Sequence, residues 1–257
     1  MISNLANVSP KAKIGNNVTI EAFATIYEGV EIGDNTWIGP NVVIFPDTTI
    51  GNNCKIFPGA CIGPVSQDLK YKGEPATTKI GNNTVIREYV TIHKGTADKH
   101  TTSIGDNCLL MAYVHIAHDC IIGNNVIMAS YTGLSGHITI EDFAILEGNV
   151  GAQQFVRVGA HAFVAGASLI RKDVPPYVRV AREPLQYIGV NAVGLARRGF
   201  EKEKIQQIED IYRTIFVRGY SVSKALEIVE AENPPSEIRS QILDFIRSSK
   251  DGIIKGI

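Results

Sequence analysis

Ile14-Gly15-Asn16-Asn17-Val18-Thr19-Ile20-Glu21-Ala22-Phe23-Ala24-Thr25-Ile26 carries an isoleucine at every sixth residue and a small residue four places after each. Stepping by six from Val8 reaches Ile14, Ile20, Ile26, Ile32, Ile38, Ile44, Ile50, Ile56 and Ile62, and the series returns at Ile80, Ile86 and Ile92. It runs again from Ile104 through Ile116, Leu134 and Ala152 to Ile170, and of the 28 positions only Asp68, Glu74 and Asp98 are not aliphatic. Chance would fill roughly ten such positions. The second column, four residues on, holds only Ala, Val, Thr, Ser or Cys, with Ile138 the exception. A helix of period 3.6 cannot hold a six-residue column, and a plain strand of period 2 has no need of a turn so often. Short strands separated by tight turns satisfy both columns if three hexads close one coil of a triangular prism. The aliphatic fills the interior and the small residue sits near a corner. The spacing predicts a parallel β-helix of roughly eight coils, about 40 Å long.

The rest of the 257 residues narrows the reading. A hydrophobic share of 44%, a charged share of 20% and a net charge of -1 exclude a disordered chain and a polycationic nucleic-acid binder. Cys54, Cys61, Cys108 and Cys120 lack metal-type or disulfide-type spacing and are expected to be reduced, cytosolic thiols. Cys54, Cys108 and Cys120 fall in the small column, where a thiol packs as a small hydrophobe. The opening Met1–Pro10 has no signal-peptide pattern, and no stretch is apolar enough to span a membrane, so the expected location is the cytoplasm.

The pattern breaks at 63–79 and at 94–103, which are expected to be loops leaving the prism. Counting sides places Ile62, Ile92, Ile116, Leu134, Ala152 and Ile170 on one face, so both loops emerge along one edge. His93, His118 and His137 follow that column by one, two and three residues, and a shared edge would line a groove about 10 Å long. His100 and His161 read as structural. After Ile170 the composition changes at Asp173-Val174-Pro175-Pro176, so the prism is expected over 1–175, a linker over 176–190 and a small helical domain over 191–257. Ile205, Ile208, Ile211, Tyr212, Ile215 and Phe216 form one helical stripe; Ile238, Ile242, Phe245 and Ile246 form another. Ser223 and Ser236 are candidate caps, with a break at Pro234-Pro235. Arg171, Lys172, Arg179, Arg182, Arg197 and Arg198 against Asp173 and Glu183 make a locally basic segment suited to an acidic partner.

The hexads resemble the left-handed β-helix of hexapeptide-repeat proteins. Further motifs resemble one family within them, the UDP-N-acetylglucosamine O-acyltransferases of lipid A biosynthesis. These motifs are Ser66-Gln67-Asp68-Leu69-Lys70-Tyr71 with Gly73-Glu74-Pro75, Thr91-Ile92-His93-Lys94-Gly95-Thr96, His115-Ile116-Ala117-His118-Asp119-Cys120, Gly136-His137, and the later Asp173-Val174-Pro175-Pro176-Tyr177, Gly189-Val190-Asn191 and Arg197-Arg198-Gly199-Phe200. The resemblance implies transfer of a 3-hydroxyacyl chain from acyl carrier protein to the sugar 3-hydroxyl, without a metal or other cofactor. It implies His118 as general base, Asp119 as the carboxylate that orients it, and a backbone N–H at Gly136 for the oxyanion. It assigns Asp68, Lys70, His115 and His137 to the sugar and its phosphates, Gln154 to the acyl groove, Asn191 and Arg198 to the nucleotide, Arg197 to a phosphate or to shielding the prism end, and Gly166 to a position that measures the acyl chain. His93 joins the substrate-site candidates through the shared edge.

The resemblance also implies a homotrimer with sites between subunits, and acyl carrier protein docking on Arg171, Lys172, Arg179 and Arg182. Gln153 and Val193 depart from the family pattern, where histidine and an acidic residue are common. A zinc-dependent carbonic anhydrase on the same prism is the alternative from another class, since it too gathers three histidines.

Overall fold

The computed structural model describes residues 1–256; Ile257, the end of the expected helical domain, lies outside the described residues. Two-residue strands recur along the chain and stack in parallel into three sheets. The first sheet runs through nine strands from Asn7–Val8 to Leu169–Ile170, and the second through eight from Lys13–Ile14 to Arg157–Val158. The third has ten, beginning at Thr19–Ile20. Successive coils pair aliphatic on aliphatic, Ile62 with Ile92, Ile92 with Ile116, Ile116 with Leu134. Identical register in every coil keeps this column inside, and Ile38, Ile44, Ile56, Ile62, Ile86, Ile92 and Ile116 are fully buried. The face predicted by counting sides is the first sheet.

The corners show why the turn residues recur. Between the second and third sheets Asn17, Asn35, Asn53, Asn83, Asn107 and Asn125 all have φ near +55°, a region asparagine tolerates better than other residues with a Cβ. The residue before each caps the neighbouring coil: Asp34 Oδ1 accepts from Asn16 N–H at 2.6 Å, Asn52 Oδ1 from Asp34 N–H at 2.7 Å, and Asn82 Oδ1 from Asn52 N–H at 2.9 Å. The small column is buried from Val18 onward, and Cys54, Cys108 and Cys120 sit in it as free thiols. Burial pushes the Cys120 thiol up to about 12, which leaves it unreactive.

Both loops are shorter than the hexad count suggests. Strands resume at Thr77 and at Thr101, because Thr77–Ile80 pairs in register with Thr101–Ile104 and the Thr77 and Thr101 hydroxyls meet at 2.8 Å. The expected linker 176–190 is also not one. Val178–Ala181 continues the third sheet beside Phe163–Val164, and Gln186–Val190 turns back antiparallel to it. The aliphatic alternation there is of period two, which a six-residue count does not see.

Four helices follow: α1 (Ala192–Arg197), α2 (Lys202–Phe216), α3 (Val222–Glu232) and α4 (Glu237–Arg247). The predicted stripes face inward, with Ile208, Ile211, Tyr212, Ile215 and Phe216 buried on α2 and Ile242, Phe245 and Ile246 on α4. Ser236 caps α4 as expected, but α3 is capped by Ser221, whose hydroxyl accepts from Lys224 N–H; Ser223 lies inside the first turn. Arg157 joins the helices to the prism through an ion pair with buried Asp173 at 3.2 Å, bonds to Phe245 O and Ser248 Oγ, and stacking 4.3 Å over the Phe245 ring.

Candidate active site

The first-to-second corner turns through residues of positive φ, Asp119 (+59°) and His137 (+64°) in successive coils. This conformation turns the Asp119 side chain into the protein, where it is fully buried beside His118. His118 Nδ1 lies 2.9 Å from Asp119 Oδ2. An ionised carboxylate only accepts, so Nδ1 carries the hydrogen and Nε2 keeps its lone pair. Burial alone would raise the Asp119 carboxyl. Bonds from the Thr96 hydroxyl, Thr96 N–H, His118 and Lys99 N–H overcome that and hold it below the usual aspartate value.

His118 Nε2 opens on a cavity of about 620 Å³ between the prism and the first loop. Asp68 and Lys70 line one side; His115, Ser135, Gly136 and Gln154 line the other. Asp68 Oδ2 stands 4.0 Å from Nε2, held in a turn where Asp68 Oδ1 accepts from Lys70 N–H at 2.9 Å. Gly136 packs against the imidazole so closely that a Cβ there would be 2.5 Å from His118 Cε1 and 2.6 Å from Nε2. The Gly136 N–H has no hydrogen-bond acceptor among the described residues.

The histidines do not form one column. They form two edge-to-face pairs, His93 with His115 at 5.4 Å between ring centres and His118 with His137 at 4.9 Å. His93 is buried behind the cavity, where Nδ1–H donates to Val65 O at 2.7 Å and so fastens the first loop. Burial holds the His93 and His115 imidazoles below the ordinary histidine range. His137 lines a separate cavity of about 430 Å³ with Asp98, Lys99 and Arg157, and stacks on Phe155 at 4.6 Å. Its Nδ1 is 3.0 Å from Asp98 Oδ2 without hydrogen-bond geometry. The expected substrate residues therefore divide: Asp68, Lys70, His115 and Gln154 share the cavity of His118, while His93 and His137 support it from outside.

Asn191, Arg197 and Arg198 lie elsewhere in the same chain. Asn191 is buried, donates to His161 O at 2.9 Å and accepts from Gly194 N–H to start α1, so both ends of its amide hold structure together. Arg198 donates to Phe143 O at 3.0 Å at the second-to-third corner, and Arg197 is exposed. His161 there stacks between Phe143 and Tyr177, and burial with Arg198 beside it lowers its imidazole to about 4. Gly166 belongs to the third-to-first corner, where its N–H donates to Glu147 Oε2 at 3.0 Å. On the basic segment, Arg171 pairs with Glu183, Lys172 donates to Asp251 O, and Arg179 lies over Phe163 at 5.7 Å.

His118, Asp119 and His137 have ligand atoms within 4.8 Å of one another, the one set among the described residues with metal-like proximity. This differs from the trio expected for a zinc site, since His93 is not in it. Asp119 is already saturated by donors, an environment suited to holding an imidazole rather than a cation.

The buried His–Asp pair thus opens on a cavity between hexad coils and an inserted loop. A model of the bacterial transferase hexapeptide matches residues 11–46, 29–64 and 101–136, and one of the second domain of UDP-N-acetylglucosamine O-acyltransferase matches 173–254. The acyl-[acyl-carrier-protein]–UDP-N-acetylglucosamine O-acyltransferase of Aliivibrio fischeri (strain MJ11) is 44% identical, with 99% of this chain and 100% of that protein aligned. The chain belongs to this acyltransferase family.

Among solved structures, LpxA, a UDP-N-acetylglucosamine acyltransferase from Bacteroides fragilis 9343, is 49% identical with a TM-score of 0.98, covering 99% of this chain and 100% of that one. The UDP-N-acetylglucosamine acyltransferase of Francisella novicida is 41% identical with a TM-score of 0.96, covering 99% and 94%. Superposition at that level requires the same hand, so the acyltransferase prism is a left-handed parallel β-helix followed by a small helical part. Sequence reasoning missed the residues behind the pair, Thr96, Lys99 and Glu74. Thr96 stands in a quoted motif, but its spacing from Asp119 carries no signal of contact. No helix among the described residues is long and apolar enough to cross a membrane.

Proposed function

We propose that this acyltransferase moves a 3-hydroxyacyl chain from acyl carrier protein to the 3-hydroxyl of UDP-N-acetylglucosamine, the first step of lipid A biosynthesis, in the cytoplasm. The observation that carries the reading is the 2.9 Å His118–Asp119 bond with Nε2 facing the cavity. A sugar hydroxyl is a weak nucleophile, so its proton must leave as its oxygen attacks the thioester carbon. Nε2 takes that proton. The imidazolium so formed is stabilised by Asp119, which remains ionised. The developing oxyanion accepts from the free Gly136 N–H, collapse of the tetrahedral species expels the pantetheine thiolate, and His118 returns the proton to it. The step needs neither a covalent enzyme intermediate nor a metal or other cofactor.

Asp68, Lys70 and His115 hold the sugar and its phosphates in this reading, with Gln154 near the acyl chain. Asn191, Arg197 and Arg198 contact the nucleotide from the neighbouring subunit of a homotrimer, which reconciles their distance from His118 within one chain. Gly166 faces the acyl chain in the same way, and its small size favours donors of fourteen carbons or more. The basic surface of Arg171, Lys172, Arg179 and Arg182 receives acyl carrier protein by charge attraction.

Incubation with UDP-N-acetylglucosamine and 3-hydroxyacyl carrier proteins of graded length, read by mass spectrometry, tests the reaction. Acylated sugar nucleotide is expected from the parent, with His118→Ala reduced by about 10²–10⁴-fold. No product from folded protein with any donor overturns the proposal.

A further inference from the structure

Asp119 is the acceptor for four hydrogen bonds, and only one comes from His118. Thr96 Oγ1–H donates to Oδ2 at 2.6 Å, Thr96 N–H to Oδ1 at 2.9 Å and Lys99 N–H to Oδ1 at 3.2 Å. Thr96 is itself buried, and it sits in the second loop, 23 residues before Asp119 in the chain. Oδ2 is thus shared between the Thr96 hydroxyl and the His118 imidazole. The Asp119 N–H is tied as well, donating to Thr102 Oγ1 at 2.8 Å.

The second loop is in turn fixed from both ends. At its start Gly95 has no room for a side chain, since a Cβ would lie 2.3 Å from Thr101 N, so the loop closes on its own backbone and delivers Thr96 at one place. On its outer side Glu74, in the same loop as Asp68 and Lys70, accepts from Ala97 N–H at 3.0 Å and from Lys72 N–H at 2.8 Å. His100 Nδ1 meets Pro75 O at 3.2 Å.

We propose that Thr96 is a positioning residue for the transferase reaction: its hydroxyl and N–H aim Asp119 Oδ2 at His118 Nδ1 and keep that carboxylate in its ionised, acceptor-only form. This rests on the reaction proposed above. A carboxylate with one donor on Oδ2 can rotate about its terminal torsion, which is broad for aspartate, and carry the imidazole with it. Two donors on Oδ2 and two on Oδ1 leave a single orientation. The same contacts tie catalytic geometry to the substrate loop, because Glu74 holds the segment between Thr96 and Lys99.

The groups facing the pair are Asp68 at 4.0 Å from His118 Nε2, His137 at 4.0 Å from Asp119 Oδ2, Asp98 beside His137, and Lys70 and His115 in the cavity. None of these donates to Asp119, so none replaces Thr96.

Thr96→Val keeps the volume and removes the hydroxyl; Thr96→Ser restores it. The assay uses the full chain with UDP-N-acetylglucosamine and a 3-hydroxyacyl carrier protein, and kcat, KM and the pH–rate profile are measured for each variant. In Thr96→Val, kcat is expected to fall roughly tenfold or more with little change in KM for the sugar nucleotide. The acid limb of kcat/KM, which reports protonation of the base, is expected to move to higher pH, since a carboxylate with one donor fewer holds the imidazolium more strongly. Thr96→Ser recovers most of both. Glu74→Gln weakens the loop staple without touching Asp119 and is expected to raise KM with the acid limb in place. A Thr96→Val enzyme with the parent's kcat and acid limb overturns the proposal. So does a Thr96→Val whose whole effect is in KM, or that Thr96→Ser does not rescue. A parent that forms no product at all overturns the reaction itself, a distinct outcome.

Discussion

Gly136→Ala isolates how tightly the base is placed. The added Cβ would meet His118 Cε1 at 2.5 Å and Nε2 at 2.6 Å, and ordinary carbon contacts need about 3.5 Å, so the ring must give way by about 1 Å. It has little room. Nδ1 is bonded to Asp119 at 2.9 Å on one side, and His137 packs edge to face at 4.9 Å. Moving away from residue 136 by 1 Å stretches the Nδ1–Oδ2 bond beyond hydrogen-bonding range or drives the ring toward His137. A displacement of this size in a reacting group costs about 10²-fold in rate, equivalent to about 2.7 kcal/mol of barrier. Gly136 is not among the residues of positive φ, so the backbone itself accepts alanine and the effect should appear in kcat before it appears in folding. The assay is kcat of Gly136→Ala against the parent with saturating sugar nucleotide and 3-hydroxyacyl carrier protein, with circular dichroism and melting to confirm the fold. A folded Gly136→Ala whose kcat stays within about threefold of the parent would refute the reasoning.

Two further outcomes follow from groups away from the cavity. Arg157→Ala leaves the Asp173 carboxylate buried without its cation and removes the stacking on Phe245; a loss of about 2–4 kcal/mol is expected, with the melting temperature lower by roughly 5 °C or more, and an unchanged melt would show that Arg157 does not join the helices to the prism. His161 titrates near 6.5 when unfolded but is lowered to about 4 in the fold, so its contribution to stability is whole above pH 6.5 and is lost as pH falls toward 4, where the unfolded chain takes up a proton the folded one refuses. His161→Phe preserves the stack with Phe143 and Tyr177 and should flatten the melting temperature against pH across that window; parallel curves for the two proteins would contradict the assignment.

The prism was legible in the sequence because its determinants are local and repeated. A six-residue period sets which residue points inward, and in-register stacking makes each coil repeat the one below, so Ile62, Ile92 and Ile116 could be placed on one sheet by counting. The corner asparagines and the inward stripes of α2 and α4 follow from residue type and periodicity in the same way. Counting failed where the period changed. Val178–Ala181 and Gln186–Val190 are strands that the hexads do not extend to, and Thr77 and Thr101 rejoin the sheet early because they pair with each other.

The site needed the tertiary structure for a different reason. His93, His118 and His137 stand one, two and three residues past the same inward column, so they occupy different positions around the turn and do not stack, whereas equivalent positions such as His137 and Phe155 do. His93 therefore fastens Val65 and pairs with His115, while His137 backs His118 and faces the second cavity. Asn191, which the resemblance assigns to the nucleotide, also caps α1 through its Oδ1, a role no period announces. What a residue projects toward is decided by loops that fold back across the coil, and nothing in the order of residues announces that Thr96 comes to rest 2.6 Å from Asp119. Local periodicity set the coil, family likeness its hand, and composition the residue types available for acyl transfer; which of those residues meet was left to the folded loops, because such contacts depend on where a chain excursion closes and not on any period.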